Sequence, residues 1–255
     1  MKIVLLCAGY ATRMYPLTRD LEQGFGEVAG APILSHLLAR TAVLPGVDEI
    51  VVLTNHRFAP QLAAWVRGVR APVPIRLLDD GSTDESNRLG ALGDLALAAR
   101  EIPLAGQDAL VAAGDNLVLF DLLPLARVFA QRRAPQLALR RARLDVHRSL
   151  YNEVGLDSGG RVVRFREKPP DPGGDLAAIA LYFLPPATWP LLDRYLAEGG
   201  NRDAPGHFIA WLVCETQVYA EPITGPWFDI GDLDSLARAR AEARAPAPSP
   251  ELRTE

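Results

Sequence analysis

A loop that could bind an anion follows the first apolar stretch of the chain. The run Ile3–Cys7 predicts a buried strand, and small residues, a hydroxyl and an arginine come after it, in the order Ala8-Gly9-Tyr10-Ala11-Thr12-Arg13. Such a loop can turn several backbone N–H groups toward a phosphate, and the guanidinium of Arg13 adds a forked donor. The same pattern also fits a tight β-to-α turn with a surface arginine, so these residues alone leave both interpretations open.

Two acidic residues more than a hundred positions apart are candidates for a metal site. Asp115 follows the predicted strand Ala109–Ala113, and open α/β sheets bind their ligands at the carboxyl ends of the strands. Asp229 lies in the segment Trp227-Phe228-Asp229-Ile230-Gly231, which could return to the same edge. Carboxylates suit Mg²⁺, which also accepts phosphate oxygens and waters. Taken singly, Asp115 is equally a helix N-cap and Asp229 a turn former.

The use of lysine is unusual and draws attention to Lys168. Of the 27 basic residues only Lys2 and Lys168 are lysines, and the others are arginines. Arginine cannot replace a compact ammonium group where space is tight. A lysine retained deep in such a chain therefore indicates a functional cation, with chance survival at the surface as the alternative.

The elements that must position these residues alternate between strand and helix in the first half of the chain. This order predicts a mainly parallel sheet covered on both faces, with four β–α steps in the first 115 residues. The predicted strands are Ile3–Cys7, Glu49–Thr54, Ile75–Leu78 and Ala109–Ala113, and the predicted helices are Ile33–Ala42, Pro60–Val69 and Leu92–Arg100.

The second half predicts a smaller β-rich part. Three short strands read as a meander with a hairpin turn at Asp157-Ser158-Gly159-Gly160. A helix, a late strand and a closing helix follow. The predicted strands are Val154–Leu156, Val162–Phe165, Ile179–Phe183 and Gln217–Glu221, and the helices are Ala187–Leu196 and Leu233–Arg244. The tail 245–255 lacks an apolar period, and we expect it to be disordered.

Composition excludes several classes of protein. The 255 residues are 49% hydrophobic and 23% charged, with a net charge of −4, so a basic footprint for nucleic acid is absent. No apolar run approaches the roughly 18–20 residues of a membrane span, and no signal-peptide pattern is present. Cys7 and Cys214 are too few for a disulfide framework or a cysteine zinc site. We expect a cytoplasmic protein.

Five segments together resemble the sugar-1-phosphate nucleotidyltransferases, the glucose-1-phosphate thymidylyltransferase-like group. The first loop resembles the opening motif of that family, L-A-A-G-x-G-T-R-L-x-P-L-T. The other four, in the family's order, are Asn87-Arg88-Leu89-Gly90-Ala91-Leu92-Gly93-Asp94, Ala113-Gly114-Asp115-Asn116, Phe165-Arg166-Glu167-Lys168-Pro169 and Trp227-Phe228-Asp229-Ile230-Gly231. They resemble, respectively, the nucleotide-base loop, the metal-binding G-D-N, the E-K-P motif and the W-x-D-I-G motif.

The resemblance implies a fold, a reaction and a set of sites. The fold is α/β, a Rossmann-like doubly wound mixed sheet of the nucleotide-diphospho-sugar transferase type with a small β-rich acceptor-side insertion. One domain would span 1–240, with a nucleotide-binding half at about 1–120 and an acceptor half at about 121–240. A sugar-1-phosphate oxygen would attack the α-phosphorus of a nucleoside triphosphate and release pyrophosphate, with Mg²⁺ as cofactor.

The family's functional residues map onto this chain by motif. Asp115 and Asp229 would hold the metal, and Arg13, Lys168 and the position of Gln23 would act in catalysis. The nucleotide would contact Ala8, Gly9, Ala11, Thr12, Arg13, Asn87, Gly90 and Gly93, and the sugar phosphate would contact Asn152, Glu167, Lys168 and Ala180.

The chain departs from the family at residues that matter for catalysis. The family's Pro-Lys pair falls on Glu22-Gln23, so a cation is lost, and we expect Glu22 to add a negative charge beside an anionic site. Losing one such group could lower the rate by about 10²- to 10³-fold. Ala11 replaces a loop glycine, at a cost of about 1 kcal/mol if φ is positive there. Asn152 and Ala180 stand where the family has glycines in the sugar pocket.

Three functions therefore compete. The first is nucleotidyl transfer to a sugar-1-phosphate or a similar phosphorylated small molecule. The second is a catalytically weakened relative that acts as a nucleotide-binding or regulatory module. A dinucleotide-dependent oxidoreductase is disfavoured because the Gly-x-Gly-x-x-Gly turn is missing after the first strand. The sequence leaves the nucleobase, the acceptor and homo-oligomer formation open.

Overall fold

A seven-stranded mixed sheet forms the centre of the protein, with strand order β12-β8-β11-β6-β1-β4-β5. The computed structural model describes residues 1–141 and 151–243, so the predicted tail lies outside the described residues. The sheet strands are β1 (Lys2–Cys7), β4 (Glu49–Thr54), β5 (Ile75–Asp79), β6 (Ala109–Ala113), β8 (Gln136–Arg141), β11 (Leu176–Leu184) and β12 (Tyr219–Pro222).

Helices cover both faces of this sheet, and three two-stranded pairs lie outside it. The helices are α1 (Ile33–Thr41), α2 (Ala59–Gly68), α3 (Ala91–Glu101), α4 (Leu123–Arg132), α5 (Thr188–Ala197), α6 (Pro205–Glu215) and α7 (Leu233–Glu242). The pairs are β2 (Glu27–Val28) with β3 (Ala31–Pro32), β7 (Asn116–Val118) with β13 (Trp227–Asp229), and β9 (Glu153–Leu156) with β10 (Val162–Arg166). The predicted α/β class and the doubly wound first half are confirmed.

Burial of β1 sets the position of the first loop. β1 pairs in parallel with β4 on one side and β6 on the other, and five of its six residues are buried. A strand with neighbours on both sides and helices on both faces must be apolar almost throughout. The carboxyl ends of β1 and β6 therefore lie side by side, which brings the loop after Cys7 next to the loop after Ala113.

The predicted strand Ile179–Phe183 forms as part of β11, but the prediction of the strands that pair with it was wrong. The hairpin of β9 and β10 forms as expected, with its turn at Asp157. β11, however, enters the main sheet antiparallel to both β6 and β8, with a register shift between Ala178 and Tyr182. Its nearly unbroken apolar run fits a fully buried strand better than an alternating meander strand.

Several elements had no sequence prediction. α4 and β8 follow Asp121, and α6 begins with Pro205, which is favourable at a first helical position. None of the helices among the described residues has the length and apolar character needed to cross a membrane.

A buried carboxylate anchors the β9–β10 hairpin. Glu153 has no exposed surface and accepts hydrogen bonds from Arg164 at 3.1 Å, from Arg166 at 2.7 Å and from the Gly173 N–H at 3.1 Å. The two arginines hold the pKa of Glu153 below its usual value although burial raises it. Because Arg166 precedes Glu167 and Lys168, this cluster fixes the loop that carries them.

We expect Glu153→Ala to destabilise the protein by about 2–4 kcal/mol, because a cavity and an unpaired Gly173 N–H replace three hydrogen bonds. Asp175→Ala is the matched control, since Asp175 pairs with Arg141 at the surface and such pairs contribute about 0–1 kcal/mol. Urea unfolding measures both variants. Equal midpoints would contradict the anchoring role of Glu153.

Candidate functional site

The pairing of β7 with β13 brings the two predicted metal carboxylates together. Asp229 lies opposite Asn116 in this antiparallel pair, and the Ile230 N–H donates to the Asp115 carbonyl at 3.2 Å. Trp227 Nε1 donates to Asn116 Oδ1 at 2.7 Å, and Asn116 Nδ2 donates to Asp115 Oδ1 at 2.8 Å. A chain of hydrogen bonds thus connects the two segments at the carboxyl edge of the sheet.

Each of the two carboxyl groups has a raised pKa. Burial and, to a lesser extent, the neighbouring charge of Asp229 raise the pKa of Asp115 to about 7. Burial by the surrounding protein also raises the pKa of Asp229, although part of its side chain is exposed to solvent. The positive charges of Arg13, Arg140 and Lys168 oppose this rise. Two like charges at one position repel unless a cation lies between them.

The donor set fits a hard divalent cation. The pair Asp115 and Asp229 offers carboxylate oxygens, which Mg²⁺ prefers, and Mg²⁺ normally takes one or two carboxylates and completes its shell with phosphate oxygens and waters. No group of three or more His, Cys, Asp or Glu side chains is arranged to hold a metal in residues 1–141 and 151–243. The described residues therefore supply part of such a shell, through Asp115 and Asp229.

At Ala11, where the family motif has a glycine, the loop after β1 adopts a backbone conformation that glycine adopts more readily than alanine. Ala11 has φ of 46°, in the left-handed region, so its methyl group adds the strain expected from the sequence. Thr18 Oγ1 donates to the Ala11 carbonyl at 2.7 Å, and Asn55 Nδ2 donates to the Ala8 carbonyl at 3.1 Å. These bonds hold a strained loop whose outer residues, Thr12 and Arg13, are exposed.

Gln23 contacts the Asp115 carboxylate directly, and Glu22 lies close enough to feel its charge. The Gln23 Nε2 group donates to Asp115 Oδ2 at 3.4 Å and to the Ile230 carbonyl. Glu22 is 3% exposed and accepts a 2.7 Å hydrogen bond from the Gly24 N–H. Burial raises the pKa of Glu22 to about 8, with a further contribution from Asp115. The expectation of an added negative charge was therefore wrong, because a group with this pKa is mostly protonated at neutral pH.

A first cavity of about 240 Å³ lies beside the loop after β1, and we call it the glycine-loop cavity. Gly90 has φ of +77°, and a Cβ there would lie 2.5 Å from the Arg202 carbonyl oxygen. Only glycine fits this position. Arg88 bridges the rim to Asp203 at 2.9 Å. The lining of the glycine-loop cavity includes Ala8, Gly9, Gln23, Arg88, Gly90, Asp94, Asp115, Ala180 and Tyr182.

Two residues that were predicted to contact the nucleotide, Asn87 and Gly93, make other contacts. Asn87 is exposed, and its Oδ1 accepts from the N–H groups of Thr83 and Asp84 at 3.0 and 3.2 Å, so the side chain closes its own turn. Gly93 lies inside α3, where a Cβ would be 2.9 Å from the Leu89 Cβ. Neither residue lines the glycine-loop cavity.

A second cavity of about 320 Å³ shares Asp115, Ala180 and Tyr182 with the lining of the first, and we call it the lysine-side cavity. A Cβ at Gly206 would overlap the carboxylate of Glu167, so the first turn of α6 accommodates this side chain only because residue 206 is glycine. Lys168 is exposed and has φ of 42°, an unusual conformation for a lysine. The lining includes Asp115, Tyr151, Asn152, Glu167, Lys168, Ala180, Trp227 and Asp229.

Asn152 lines this cavity but its polar atoms face the sheet. Its Nδ2 donates to the Ala178 carbonyl at 2.9 Å, and its Oδ1 accepts from the Ala178 N–H at 2.7 Å. The side chain therefore supplies hydrogen bonds to β11 where β11 shifts register against β8. Ala180 lies between the two cavities and lines both.

Sequence reasoning missed three side chains of this site. Arg140 stacks between the rings of Tyr151 and Trp227, at 4.4 and 4.8 Å from their centroids. Cys7 and Asp94 line the glycine-loop cavity, and burial raises the pKa of the Cys7 thiol well above its usual value. A signal for Asp94 was available, because an acidic residue follows Gly93 inside an otherwise apolar helix.

Comparison with known proteins identifies relatives of the whole described fold. The family model described as "Nucleotidyl transferase" matches residues 2–245. A glucose-1-phosphate thymidylyltransferase from Streptomyces antibioticus is 28% identical over 234 residues, which are 91% of this chain and 63% of that protein. A probable mannose-1-phosphate guanylyltransferase 2 from Arabidopsis thaliana is also 28% identical, over 91% of this chain and 62% of that protein. The chain thus spans about three fifths of these relatives' length.

The fold has solved counterparts. A crystal structure from Bacillus anthracis, provisionally named a glucose-1-phosphate thymidylyltransferase and solved with sucrose, superposes with a TM-score of 0.81 at 18% identity. The match covers 98% of this chain and 97% of that one. At this identity the likeness shows the fold alone.

The buried acids predict an unusual dependence of stability on pH. Glu22 and Asp94 are both nearly inaccessible, and the pKa of each is raised to about 8. The unfolded chain releases these protons near pH 4–5 and the folded protein near pH 8, so stability falls as pH rises between those values. In EDTA, we expect the melting temperature to fall by about 2–4 °C per pH unit and per group.

Glu22→Gln should flatten this dependence because the amide does not ionise. Glu101→Gln is the matched control, since Glu101 is exposed at the end of α3. Melting curves between pH 5 and pH 9 measure all three proteins. A wild-type profile that is flat, or a slope that Glu22→Gln leaves unchanged, would contradict the buried neutral acid.

Proposed function

The chain belongs to the nucleotidyl transferase family, and on that premise we propose that it transfers a nucleotidyl group to a sugar-1-phosphate or a similar phosphorylated small molecule. The donor is a nucleoside triphosphate, and the by-product is pyrophosphate. The observation that carries the proposal is the convergence of Asp115 and Asp229 beside two cavities that share the side chain of Asp115. One cavity would hold the nucleotide and the other the acceptor.

The reaction needs no protein nucleophile. A phosphate oxygen of the acceptor forms a bond to the α-phosphorus, and the bond from that phosphorus to the β-bridging oxygen breaks. Pyrophosphate leaves with the electron pair, so no proton transfer is required at the reacting phosphorus. The barrier comes from bringing two anions together in line, and alignment with charge neutralisation lowers it.

Two cations near the cavities would suit this task. Lys168, beside Glu167 at the lysine-side cavity, is available to neutralise the acceptor phosphate, and Glu167 to accept hydrogen bonds from acceptor hydroxyls. Arg13 lies near Asp229 and near Gly231, where its Nη2 would be 3.0 Å from an added Cβ. It can donate to the departing phosphates, and the backbone of Ala8 and Gly9 can approach the triphosphate closely.

Asp115 and Asp229 would hold the Mg²⁺. When bound, this ion would neutralise phosphate charge and align the reacting groups. A bound cation would reduce the repulsion between the two carboxylates and would also attract the triphosphate. Metal binding and nucleotide binding should therefore favour each other.

A second candidate rests on the contacts of Gln23. Its amide carries no charge and already donates to Asp115 Oδ2 and the Ile230 carbonyl. Gln23 would therefore neutralise less of the negative charge of the transition state than a lysine at this position would. A protein that binds Mg²⁺ and nucleotide but turns over slowly, as a binding or regulatory module, is consistent with this arrangement.

Pyrophosphate release tests the proposal. We expect turnover with Mg²⁺, at least one triphosphate and at least one member of a panel of sugar-1-phosphates. Asp115→Asn should reduce it by at least about 10²-fold, because an uncharged amide is a poor metal ligand. Asp234→Asn, an exposed change in the first turn of α7, should leave it unaltered. Nucleotide binding without release in any pair would favour the second candidate.

Restoring a cation should raise the rate. An ammonium group at residue 23 can donate to the same two oxygens as the Gln23 amide and adds a positive charge beside the phosphates. We expect Gln23→Lys to increase kcat by about 10- to 10²-fold, and the uncharged control Gln23→Met to decrease it. Steady-state pyrophosphate release measures both. An unchanged rate in Gln23→Lys would place the defect in the acceptor pocket.

A further inference from the structure

Asp94 is an acidic side chain of the glycine-loop cavity that the proposed reaction does not use. It is the fourth residue of α3, just after the turn at Gly90, and only 5% of it is exposed. It lines the cavity together with Gly9, Gly90 and Ala91. Because the reacting phosphates belong near Asp115, the Asp94 end of the cavity is where the other end of a nucleotide would lie.

Capping of the helix does not explain this residue. Acidic side chains in the first turn usually accept hydrogen bonds from free backbone N–H groups. Asp94 Oδ1 is buried, and no N–H group or hydroxyl of the described residues donates a hydrogen bond to it. A buried polar atom in this state is costly unless a second carboxyl group or a ligand meets it.

The carboxyl of Asp94 lies against that of Asp80. Asp80 Oδ1 accepts from the N–H and the Oγ of Ser82, both at 2.7 Å, while Asp80 Oδ2 is buried and receives no hydrogen bond from an N–H group or hydroxyl in the part of the chain that the structure describes. Burial, the charge of Asp80 and the contact between the two carboxyl groups raise the pKa of Asp94 to about 8. Asp94 therefore keeps its proton at neutral pH and can donate it to Asp80.

This arrangement presents an acceptor to the cavity. With the proton directed to Asp80, the remaining lone pairs of the Asp94 carboxyl can only accept. The nearby cation Arg88 is engaged with Glu85 at 3.4 Å and with Asp203 at 2.9 Å. A carbonyl oxygen placed against Asp94 would meet oxygen lone pairs and lose its hydration, whereas an amino group would donate a hydrogen bond.

We propose that Asp94 determines the choice of nucleobase, selecting a base that presents an exocyclic amino group over one that presents a carbonyl at the same place. Asp80 acts as its positioning residue. The inference rests on the proposed function in one respect: it takes the glycine-loop cavity as the base end of the nucleotide site. The expected ligands are the triphosphates of cytosine, adenine or guanine, and the disfavoured ones are those of uracil and thymine.

Binding of matched triphosphates tests the proposal without turnover. CTP and UTP differ at the 4-position by an amino group and a carbonyl, ATP and ITP differ in the same way at the 6-position, and GTP differs from ITP only by its 2-amino group. Calorimetric titration of the full chain with each Mg²⁺–triphosphate should show at least one pair in which the amino member binds about tenfold more tightly, the usual effect of leaving a buried polar group unpaired. Equal affinities within all three pairs would overturn the proposal.

Two variants separate base selection from a structural role. Asp94→Ala should remove the preference, bringing the ratio within the pair to below about twofold. Asp94→Asn should retain it, because its amide can donate to Asp80 while its carbonyl faces the cavity as the protonated acid does. A purely structural residue would change the affinity of both members equally, and this result would overturn the proposal.

The outcomes distinguish the two proposals. A preference that depends on Asp94, in a protein that releases no pyrophosphate, would support base selection and refute catalysis. Pyrophosphate release with a base preference that Asp94→Ala leaves unchanged would support catalysis and refute base selection by Asp94. Absence of binding by every triphosphate would refute both.

Discussion

The site depends on one constraint, which is that β7 and β13 must pair. The two segments are more than a hundred residues apart, and their pairing places Asp229 opposite Asn116, next to Asp115. Like charges oppose this approach, so other interactions must hold the segments together. The hydrogen bonds of Trp227 to Asn116 and of Ile230 to Asp115 do so, and the Gln23 amide adds another bridge. Asp115, beside this junction, lines both cavities.

The sequence allowed the strands of the first half to be predicted closely, because each is an apolar run bounded by turn residues. Glu49–Thr54 and Ala109–Ala113 match their predicted bounds. The partners of β11 were not predictable, since an apolar run fits any buried strand and pairing depends on distant residues. Glu22 was misjudged for a similar reason: its charge state depends on burial beneath the site, which no local pattern reveals. Asn87 matched a motif, yet its side chain closes its own turn.

Glu22 and Gln23 change the electrostatics of the site together. A protonated Glu22 adds no charge beneath Asp115, and Gln23 offers a hydrogen bond without a cation. The pair therefore replaces a charged contact by a neutral, well-packed one. The amide relieves the repulsion between Asp115 and Asp229 less than a cation would, and it neutralises less of the charge that the phosphates bring. Both the resting site and the reacting site therefore depend more strongly on a bound metal ion.

Asn152 couples the shape of the acceptor side to the integrity of the sheet. Both of its hydrogen bonds go to the backbone of Ala178, so it acts as a one-residue substitute for a neighbouring strand. A smaller residue would enlarge the acceptor space and at the same moment leave a strand amide and carbonyl without partners. Enlargement of the pocket toward bulkier acceptors would therefore need a compensating change in β11, and the two positions should evolve as a unit.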